Sequence, residues 1–353
     1  YSNKSPSDSS WSTPTIIHDN GNHFIGIAVS LMVDDDGALH IVYDYHNEND
    51  LYYAQCTGGC DSSSSWSFRE LGNIGNAGRY VTAAMDHTGS IRVAYYNETG
   101  KNLMGMFIPG TITKTYEIAP VGSSHYGLGY AMDDSGIAHL SFYNGSGGSG
   151  ELLYATGAGD SWQVTSVDSS SANTGLYSSL VLDDQGMPHI AYLDSTNKQL
   201  MYAHYDGSTW TSSVLEQRAP GFGNYFSSTS ISISPTGLIR IAYSGSLPYG
   251  QINTYEWDGS QWVRFEQGAN LVGSFTSAHS LKIDTSDADG RTRLAYYDSR
   301  WGNLTYSLAK SEAPVAMGAS DSHPMGTSVG DGLTGMSSIS VGHSHGCAVV
   351  GSG

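Results

Sequence analysis

LVLDDQGMPHIAYLD, residues 180–194, runs from an apolar segment through an aspartate and a glycine turn into a second apolar segment with a histidine and a tyrosine. The same order recurs in five other places, so the chain contains six copies. Repetition at a fixed period is the sequence signature of solenoids, propellers and arrays. The turn glycines of the copies lie 47 to 53 residues apart, at Gly37, Gly89, Gly136, Gly186, Gly237 and Gly290.

Each copy continues with further strand-like segments. A third segment follows the pair, as in NLMGMFI at residues 102–108 and QLMYAHY at 199–205. Four short strands within a period of about 50 residues are typical of a β-propeller blade. The sequence therefore predicts an all-β fold: a six-bladed β-propeller of four-stranded antiparallel blades. A tryptophan opens the fourth segment in four copies, at Trp66, Trp162, Trp210 and Trp262.

The sixth copy lacks a fourth segment and ends near Lys310. The beginning of the chain, SDSSWSTPTI at residues 7–16, resembles DGSTWTSSVL at 206–215, which opens the fourth strand of another copy. We therefore predict that an N-terminal strand at residues 11–17 completes the sixth blade and closes the ring. Closure would remove sheet edges that are otherwise open to aggregation. On this interpretation residues 1–310 form one propeller domain.

The C-terminal tail, residues 311–353, is rich in Gly, Ser and Met and does not follow the blade pattern. A seventh blade would have to recruit it. Its end, SSISVGHSHGCAVVGSG, resembles the opening strand of a repeat from the propellers of the regulator of chromosome condensation family. Two interpretations stay open: a linker or docked tail, or the start of a further domain of the same polypeptide.

The charge of the chain limits its partners. The formal net charge is −18, with only 15 Lys and Arg. Such an acidic surface repels nucleic-acid phosphates and anionic lipids, so we expect no nucleic-acid partner. No stretch of 18 apolar residues occurs, and we therefore expect no membrane insertion either.

Cys56 and Cys60 lie in QCTGGCD, close enough to form a small disulfide loop. A zinc site is the alternative, but it needs further Cys or His ligands at matching spacing, and none lies nearby in the sequence. We predict the disulfide. It indicates an oxidising compartment, and so an extracellular or cell-surface protein.

The six copies resemble the Asp-Gly/His-Ile-x-Tyr propeller repeats of secreted bacterial and archaeal proteins that are often described as sialidase-like. DGSTW at residues 206–210 and DGSQW at 258–262 are shortened forms of the sialidase Asp-box turn, which is structural in that family. Sialidases also need three arginines, a Tyr–Glu pair and an acidic Asp. The nine arginines and nine glutamates of this chain do not assemble that set at matching positions. The resemblance therefore implies the fold and no catalytic residues.

One polar column recurs in the second strand of every copy. Convergence of its members would suggest a metal or anion site. However, an aspartate lies across the same turn in five copies and Ser234 in the remaining one, so local pairing would satisfy both groups. We predict the structural role. The column is His40, Arg92, His139, His189, Arg240 and Arg293, and its aspartates are Asp34, Asp86, Asp133, Asp183 and Asp284.

A second column lies in the loops that enter the first strand of each copy, at one mouth of the predicted channel. Aromatic rings with interspersed polar groups suit sugars, whose CH faces stack on rings while their hydroxyls need hydrogen-bonding partners. Packing of blade junctions is the competing explanation. The candidate ligand-binding residues are His23, Phe24, Arg79, Tyr80, His125, Tyr126, Tyr177, Tyr225, Phe226 and Phe275, with Trp301 from a neighbouring loop.

These observations favour a non-catalytic extracellular module for binding or adhesion, with a glycan or surface polymer as partner. The enzyme alternative is a polysaccharide lyase or glycosidase, because His23, Arg79 and His125 supply a base and cations for a uronate. A third alternative is a structural domain of a larger surface protein or filament. We predict no cofactor; DTSDADG at residues 284–290 leaves calcium open, although its carboxylates are out of step with a calcium loop.

Overall fold

The structure, a computed structural model, describes residues 1, 12–18, 25–45, 50–72, 80–86, 88–108, 114–123, 126–217, 226–245, 252–265, 278–284, 293–298, 303–308, 339–341 and 347–349. These residues form antiparallel strands and no α-helix; a 3-10 turn spans Ser63–Ser65. The predicted all-β class is therefore confirmed.

Five sheets have four strands each, and within each sheet the strands are antiparallel neighbours in chain order. Sheet one contains β1 (Ile25–Val33), β2 (Leu39–Tyr45), β3 (Asp50–Cys56) and β4 (Ser67–Glu70). Sheet two contains β5 (Thr82–Met85), β6 (Ile91–Asn97), β7 (Asn102–Ile108) and β8 (Lys114–Pro120). Sheet three contains β9 (Leu128–Met132), β10 (Ala138–Ser146), β11 (Ser149–Ala158) and β12 (Ser161–Asp168).

Sheet four contains β13 (Thr174–Leu182), β14 (Pro188–Asp194), β15 (Gln199–Tyr205) and β16 (Trp210–Gln217). Sheet five contains β17 (Phe226–Ile233), β18 (Ile239–Gly245), β19 (Ile252–Trp257) and β20 (Trp262–Phe265). Sheet six has three strands among the described residues: β21 (Ala278–Asp284), β22 (Arg293–Asp298) and β23 (Asn303–Leu308). The six repeats of the sequence thus correspond to six sheets.

The repeated glycine is needed where the first strand turns into the second. In sheet one, Gly37 has a φ of 80° and its N–H donates to the carbonyl of Asp34 at 2.9 Å. The side-chain carboxylate of Asp34 also accepts a hydrogen bond, from the N–H of Ala38 at 2.7 Å. Because a positive φ costs little only for glycine, the Asp-x-x-Gly spacing fixes this turn and the register of both strands.

Neighbouring sheets pack face to face, and successive side chains of a strand point to opposite faces of its sheet. In β2 both faces are buried: Val42 belongs to one core cluster, and Ile41 and Tyr43 belong to another. Val42 of β2 and Val93 of sheet two belong to one core cluster, and both are fully buried. Burial of one such side chain stabilises the fold by roughly 1.5–3 kcal/mol. The first strands also contact one another in the order β1, β5, β9, β13, β17 and β21, so they are the inner strands.

Residues 12–18 form no strand. They lie on sheet one, where Ile17 packs against its core and the Thr15 hydroxyl donates to the carbonyl of Asp61 at 2.6 Å. The predicted pairing of residues 11–17 with sheet six is not seen in the described part of this segment. Closure of the ring by this strand stays a prediction.

Two short strands of the tail, β24 (Ile339–Val341) and β25 (Cys347–Val349), form a hairpin. β24 contacts β1 of sheet one and β21 of sheet six. The tail therefore has a structured element beside the inner strands, although its sequence does not follow the blade pattern. The domain boundary at residue 310 stays a prediction.

Candidate ligand-binding site

One end of the sheets, here called the mouth, is where first strands begin and second strands end. The register shows this in sheet one, where Ile25 pairs with Tyr45, and in sheet four, where Thr174 pairs with Asp194. The opposite end carries the Asp-Gly turns and is here called the turn end. Because the first strands are the inner strands, the described residues that directly precede them, such as Tyr80 and Tyr126, lie at the mouth.

Tyr80, Tyr126 and Tyr177 come together at the mouth from sheets two, three and four. The rings of Tyr126 and Tyr177 are edge to face, with centroids 5.7 Å apart. The N–H of Tyr177 donates to the carbonyl of Tyr126 at 3.1 Å. Burial raises the pKa of Tyr177 to about 12, and the neighbouring phenols of Tyr80 and Tyr126 add to the rise. The Tyr177 hydroxyl is therefore neutral at physiological pH and lies near the other two.

Tyr80 and Tyr177 have backbone conformations that non-glycine residues rarely adopt. Their φ angles are 63° and 53°, in the left-handed region. Such a conformation costs energy for a bulky residue, and it persists only where the surroundings enforce it. Backbone outliers of this kind cluster at ligand clamps and active sites. The left-handed position recurs six residues before the turn aspartate in sheets two, three and four, at Tyr80, Gly127 and Tyr177. Of these three sheets only sheet three has the glycine that adopts the conformation without strain, whereas the other two keep a tyrosine there.

Gly127 explains how the backbones approach so closely. Its φ is 70°, and a Cβ added there would lie 2.6 Å from the Cα of Tyr177. No residue with a side chain fits this position without moving the backbone of sheet four. Gly127 thus fixes the distance between Tyr126 and Tyr177.

Two buried tyrosines of the second strands support the mouth from below. Tyr143 packs edge to face on Tyr126 at 5.5 Å, and its hydroxyl donates to Oδ1 of Asn173 at 2.7 Å. Tyr96 packs on Tyr80 at 6.4 Å, and its hydroxyl donates to the carbonyl of Tyr143 at 3.3 Å. The supporting hydroxyls are thus used within the fold.

The hydroxyls of Tyr126 and Tyr177 differ from these. Neither has a hydrogen-bond partner among the residues that the structure describes, and both side chains are only partly buried. Thr229 of sheet five holds the backbone of Tyr177 through a 2.5 Å hydrogen bond from its hydroxyl to the Tyr177 carbonyl. The result is a firmly held pair of rings whose hydroxyls are not used by the described part of the fold.

Most other candidate residues lie outside the described residues. Phe226 begins β17, but nothing is described of its side chain. Their part in a ligand site stays a prediction. The residues outside are His23, Phe24, Arg79, His125, Tyr225, Phe275 and Trp301.

The basic column at the turn end pairs locally in sheets one to four, as predicted. In sheet one, Nε2 of His40 lies 3.0 Å from Oδ2 of Asp34. In sheet two, a guanidinium nitrogen of Arg92 lies 3.9 Å from Asp86. The corresponding His–Asp distances in sheets three and four, His139–Asp133 and His189–Asp183, are both 3.5 Å.

Sheet five shows how the column adapts. Ser234 replaces the turn aspartate there, and Arg240 pairs instead with Glu256 of the adjacent strand at 2.7 Å. The basic side chain finds a carboxylate even when the turn offers none. The described residues contain no cluster of three or more potential metal ligands, so these pairs do not form a shared metal site there.

A tyrosine completes each histidine pair, which the sequence interpretation missed. Nδ1 of His40 lies 2.6 Å from the hydroxyl of Tyr53 in the third strand. The signal was present in the sequence, because a tyrosine stands at this place in each copy that has the histidine. The matching distances in sheets three and four, His139–Tyr154 and His189–Tyr202, are both 2.5 Å.

Burial and hydrogen bonding set the protonation of this column. Burial lowers the pKa of His139 and of His189, although their aspartates act in the opposite direction. Burial acts to raise the pKa of Asp34, but hydrogen bonds from His40 and from backbone N–H groups outweigh it, so the pKa is lowered. The imidazoles of His139 and His189 are therefore neutral at physiological pH, and the Asp34 carboxylate is ionised.

Two carboxylate–tyrosine contacts join neighbouring sheets near the mouth. The Tyr192 hydroxyl of sheet four donates to Oδ2 of Asp168 in sheet three at 2.5 Å. In the next junction, the Tyr243 hydroxyl of sheet five donates to Glu216 of sheet four. The sequence did not indicate these contacts, because their partners are 24 and 27 residues apart in different copies.

The junction between sheets two and three lacks this contact. The register places Ala119 and Phe142 at the positions of the carboxylate and the tyrosine, and both are buried there. In these three junctions a carboxylate and a tyrosine are thus present together or replaced together.

Cys56 and Cys60 form a disulfide, which confirms the prediction over the zinc alternative. The loop packs against sheet one, because the indole N–H of Trp66 donates to the carbonyl of Cys60 at 3.0 Å. Among the described residues, no helix has the length and apolar character to cross a membrane.

Comparison with solved structures identifies the fold. The fucose-recognising lectin of the fungus Aleuria aurantia, a six-bladed β-propeller, matches with a TM-score of 0.56 at 15% identity, over 88% of this chain and 97% of the lectin. A Hadza microbial sialidase matches with a TM-score of 0.53 at 14% identity, over 82% of this chain and 66% of the sialidase. An ulvan lyase matches with a TM-score of 0.51 at 14% identity, over 86% of this chain and 85% of the lyase.

No protein-family model and no curated protein matches the chain. At these identities the structural likeness establishes the β-propeller fold and nothing about activity. The resemblance to sialidase-like repeats is supported as far as a propeller architecture. The resemblance of the tail to a regulator of chromosome condensation repeat has no support in these comparisons.

Proposed function

We propose that this protein is a non-catalytic extracellular module that binds glycans at the mouth, through Tyr80, Tyr126 and Tyr177. The observation that carries the proposal is the left-handed backbone of Tyr80 and Tyr177 around a partly exposed tyrosine cluster. Glycine adopts this conformation without strain at the matching position of sheet three, Gly127, whereas sheets two and four keep a tyrosine there. A ligand that binds to this arrangement would explain why the strained backbone is retained.

The chemistry of the cluster suits a sugar. The rings supply flat apolar faces for pyranose CH groups, and the hydroxyls of Tyr126 and Tyr177 can donate to or accept from sugar hydroxyls. Tyr143 packs on the ring of Tyr126, and Thr229 holds the backbone of Tyr177. Because the rings are held before the ligand arrives, little conformational entropy is lost on binding.

The structural neighbours add support at the level of the scaffold. The Aleuria aurantia lectin recognises fucose, and its propeller fold resembles that of this chain. The disulfide of Cys56 and Cys60 supports an extracellular or cell-surface location, where such bonds persist. The proposal includes a closed six-bladed ring and a glycan or surface polymer as partner.

Polysaccharide cleavage is the second candidate. It is favoured by the likeness to the ulvan lyase and by His23, Arg79 and His125 in the mouth loops of the sequence. A lyase needs a base near the acidic carbon and a cation at the uronate carboxylate. Product formation separates the two candidates, because a lectin releases none.

The test is binding of the purified chain to a glycan and polysaccharide array, with each well assayed for cleavage products. Tyr126→Ala removes ring and hydroxyl, and we expect it to weaken binding by more than about tenfold. Tyr126→Phe keeps the ring and removes only the hydroxyl. It should weaken binding about fivefold, from the loss of one hydrogen bond of about 1 kcal/mol.

Tyr205→Ala is the matched control. Tyr205 is also partly buried, but it lies at the turn end of β15, beside Trp210. We expect unchanged binding in this variant. Equal losses in Tyr126→Ala and Tyr205→Ala would place the site elsewhere, and an array without any hit would exclude a glycan ligand.

A further inference from the structure

The imidazole of His18 lies inside a box of four aromatic rings on sheet one. The ring centroids of Phe68 and Tyr52 are 5.2 Å and 5.3 Å from that of His18. Those of Tyr43 and Tyr45 are at 5.8 Å and 6.1 Å. Nδ1 of His18 also lies 2.7 Å from the Tyr43 hydroxyl. These four rings are called the aromatic box.

Among sheets one to four, the aromatic box occurs in sheet one alone. Strand register identifies the residue that matches each box member in sheets two to four. Of the four box positions, only that of Tyr43 is occupied by an aromatic residue in all three of these sheets. The three extra rings therefore do not come from the repeat pattern and need a reason of their own. Tyr45 corresponds to Asn97, Asn144 and Asp194; Tyr52 to Met104, Leu153 and Met201; Phe68 to Thr115, Val164 and Ser212.

His18 reaches the box from a segment without sheet pairing. Residues 12–18 form no strand, and Ile16 within them is 69% exposed. Segments of this kind open locally at a much lower free energy than core strands do. The imidazole can therefore leave the box while the sheets stay folded.

We infer that the aromatic box is a binding site for a small organic cation, such as an imidazolium or quaternary ammonium group, and that His18 is its displaceable occupant. Aromatic faces attract such cations through their quadrupoles, and several rings around one cation strengthen the attraction. The net charge of −18 raises the local concentration of cations at the surface. The Tyr43 hydroxyl supplies a hydrogen-bond acceptor for an N–H group.

The experiment uses tetramethylammonium chloride as the probe, with sodium chloride at equal ionic strength as the blank. His18→Ala empties the box, so we expect it to bind tetramethylammonium about tenfold more tightly than the original chain does. Calorimetry and the chemical shifts of the tyrosine ring protons report the binding. No binding by folded His18→Ala would overturn the inference.

A pair of second substitutions tests whether the rings do the binding. Phe68 and Val164 occupy matching positions in sheets one and three, and each is 41% exposed. Added to His18→Ala, Phe68→Ala should weaken tetramethylammonium binding about fivefold, whereas Val164→Ala should not. Equal affinities in the two double variants would overturn the assignment to the box.

A third measurement needs no variant, in case His18→Ala does not fold. Tetramethylammonium that enters the box of the original chain must displace His18. We therefore expect faster amide exchange in residues 12–18, with no change in β13 or β14. Unchanged exchange in that segment at saturating tetramethylammonium would overturn the assignment of His18 as a displaceable occupant.

Discussion

The mouth and the turn end of the same sheets use their polar side chains in opposite ways. At the turn end, His189 is held by Asp183 and Tyr202, and the arrangement recurs in sheets one and three. At the mouth, the hydroxyls of Tyr126 and Tyr177 have no partner among the described residues, and Tyr177 has a left-handed backbone. The polar groups of the first region are paired; in the second region these two hydroxyls are not, and the backbone of Tyr177 is strained.

The difference separates stability from function. A repeated, paired column stabilises every sheet in the same way, so it needs no ligand to explain it. Tyrosines kept at a left-handed position, where sheet three has Gly127, cost backbone energy, and the proposed glycan binding would explain that cost. Substitutions at the turn end should therefore change the free energy of unfolding alone, and substitutions at the mouth should change binding.

Gly127 and Gly136 give the largest expected effect. Both have a positive φ, 70° and 75°, but of the two only Gly127 has another backbone where a Cβ would lie. Gly127→Ala should destabilise the fold by about 3 kcal/mol and abolish glycan binding, because the backbones of sheets three and four must separate. Gly136→Ala should cost about 1 kcal/mol and leave binding intact, since only the left-handed strain is added. Denaturant unfolding and the array measure both, and equal effects would remove the distinction between the two ends.

His189→Ala comes next. The substitution leaves the Tyr202 hydroxyl and the Asp183 carboxylate without their imidazole partner, and it should cost about 2–3 kcal/mol. The matched control is His204→Ala, which removes the imidazole stacked on His189 at 6.0 Å and should cost less than about 1 kcal/mol. Glycan affinity should stay the same in both. A loss of affinity in His189→Ala would show that the turn end supports the mouth.

A smaller effect is expected in the pH dependence of the free energy of unfolding, and it should come from the turn end. Burial lowers the pKa of His139 and His189 below the ordinary 6.5. As the pH falls below that ordinary value, the unfolded chain binds protons that the folded chain does not, so the free energy of unfolding falls. The two histidines therefore contribute their full share of the free energy of unfolding only at pH values above the ordinary histidine pKa. Denaturant titrations of His139→Gln/His189→Gln should give a flatter pH profile in the acidic range, and an unchanged slope would mean that other groups carry it.

The smallest effect is expected at the exposed Asp-box turn. Hydrogen bonds from the N–H of Thr209 and from Ser208 hold the pKa of the fully exposed Asp206 far below its ordinary value. Asp206→Asn keeps an acceptor for these groups, while Asp206→Ala removes it. We expect a slightly lower Tm for Asp206→Ala and a smaller change for Asp206→Asn. A large loss of stability or of glycan binding would give this turn a role beyond its structure.

The repeated parts of the fold could be predicted from the sequence. The predicted third segments NLMGMFI and QLMYAHY coincide with β7 and β15. They were accessible because strand alternation and turn glycines are local signals. The pairing of His40 with Asp34 was likewise predictable, since both residues flank one turn.

The rest depends on tertiary contacts. The left-handed backbone of Tyr177 accompanies a close approach of Gly127 from another sheet, and nothing in GLYS at residues 175–178 indicates it. The placement of His18 on sheet one was missed because Trp11 matches the fourth-strand pattern. The rings that receive His18, such as those of Tyr52 and Phe68, come from outer strands that the pattern does not relate to the beginning of the chain.

The contacts between sheets bear on how such a repeat protein can change. Asp168 of sheet three suits a following sheet that presents a tyrosine, as sheet four does with Tyr192. If sheet three were copied into the place of sheet four, Phe142 would meet that carboxylate and offer it no donor. The six units are therefore not freely interchangeable modules, because at such a junction the carboxylate of one sheet needs a tyrosine in the next sheet. Shuffling or duplication of single units would be penalised by unpaired buried carboxylates, so this protein can diversify its loops more readily than the order of its blades.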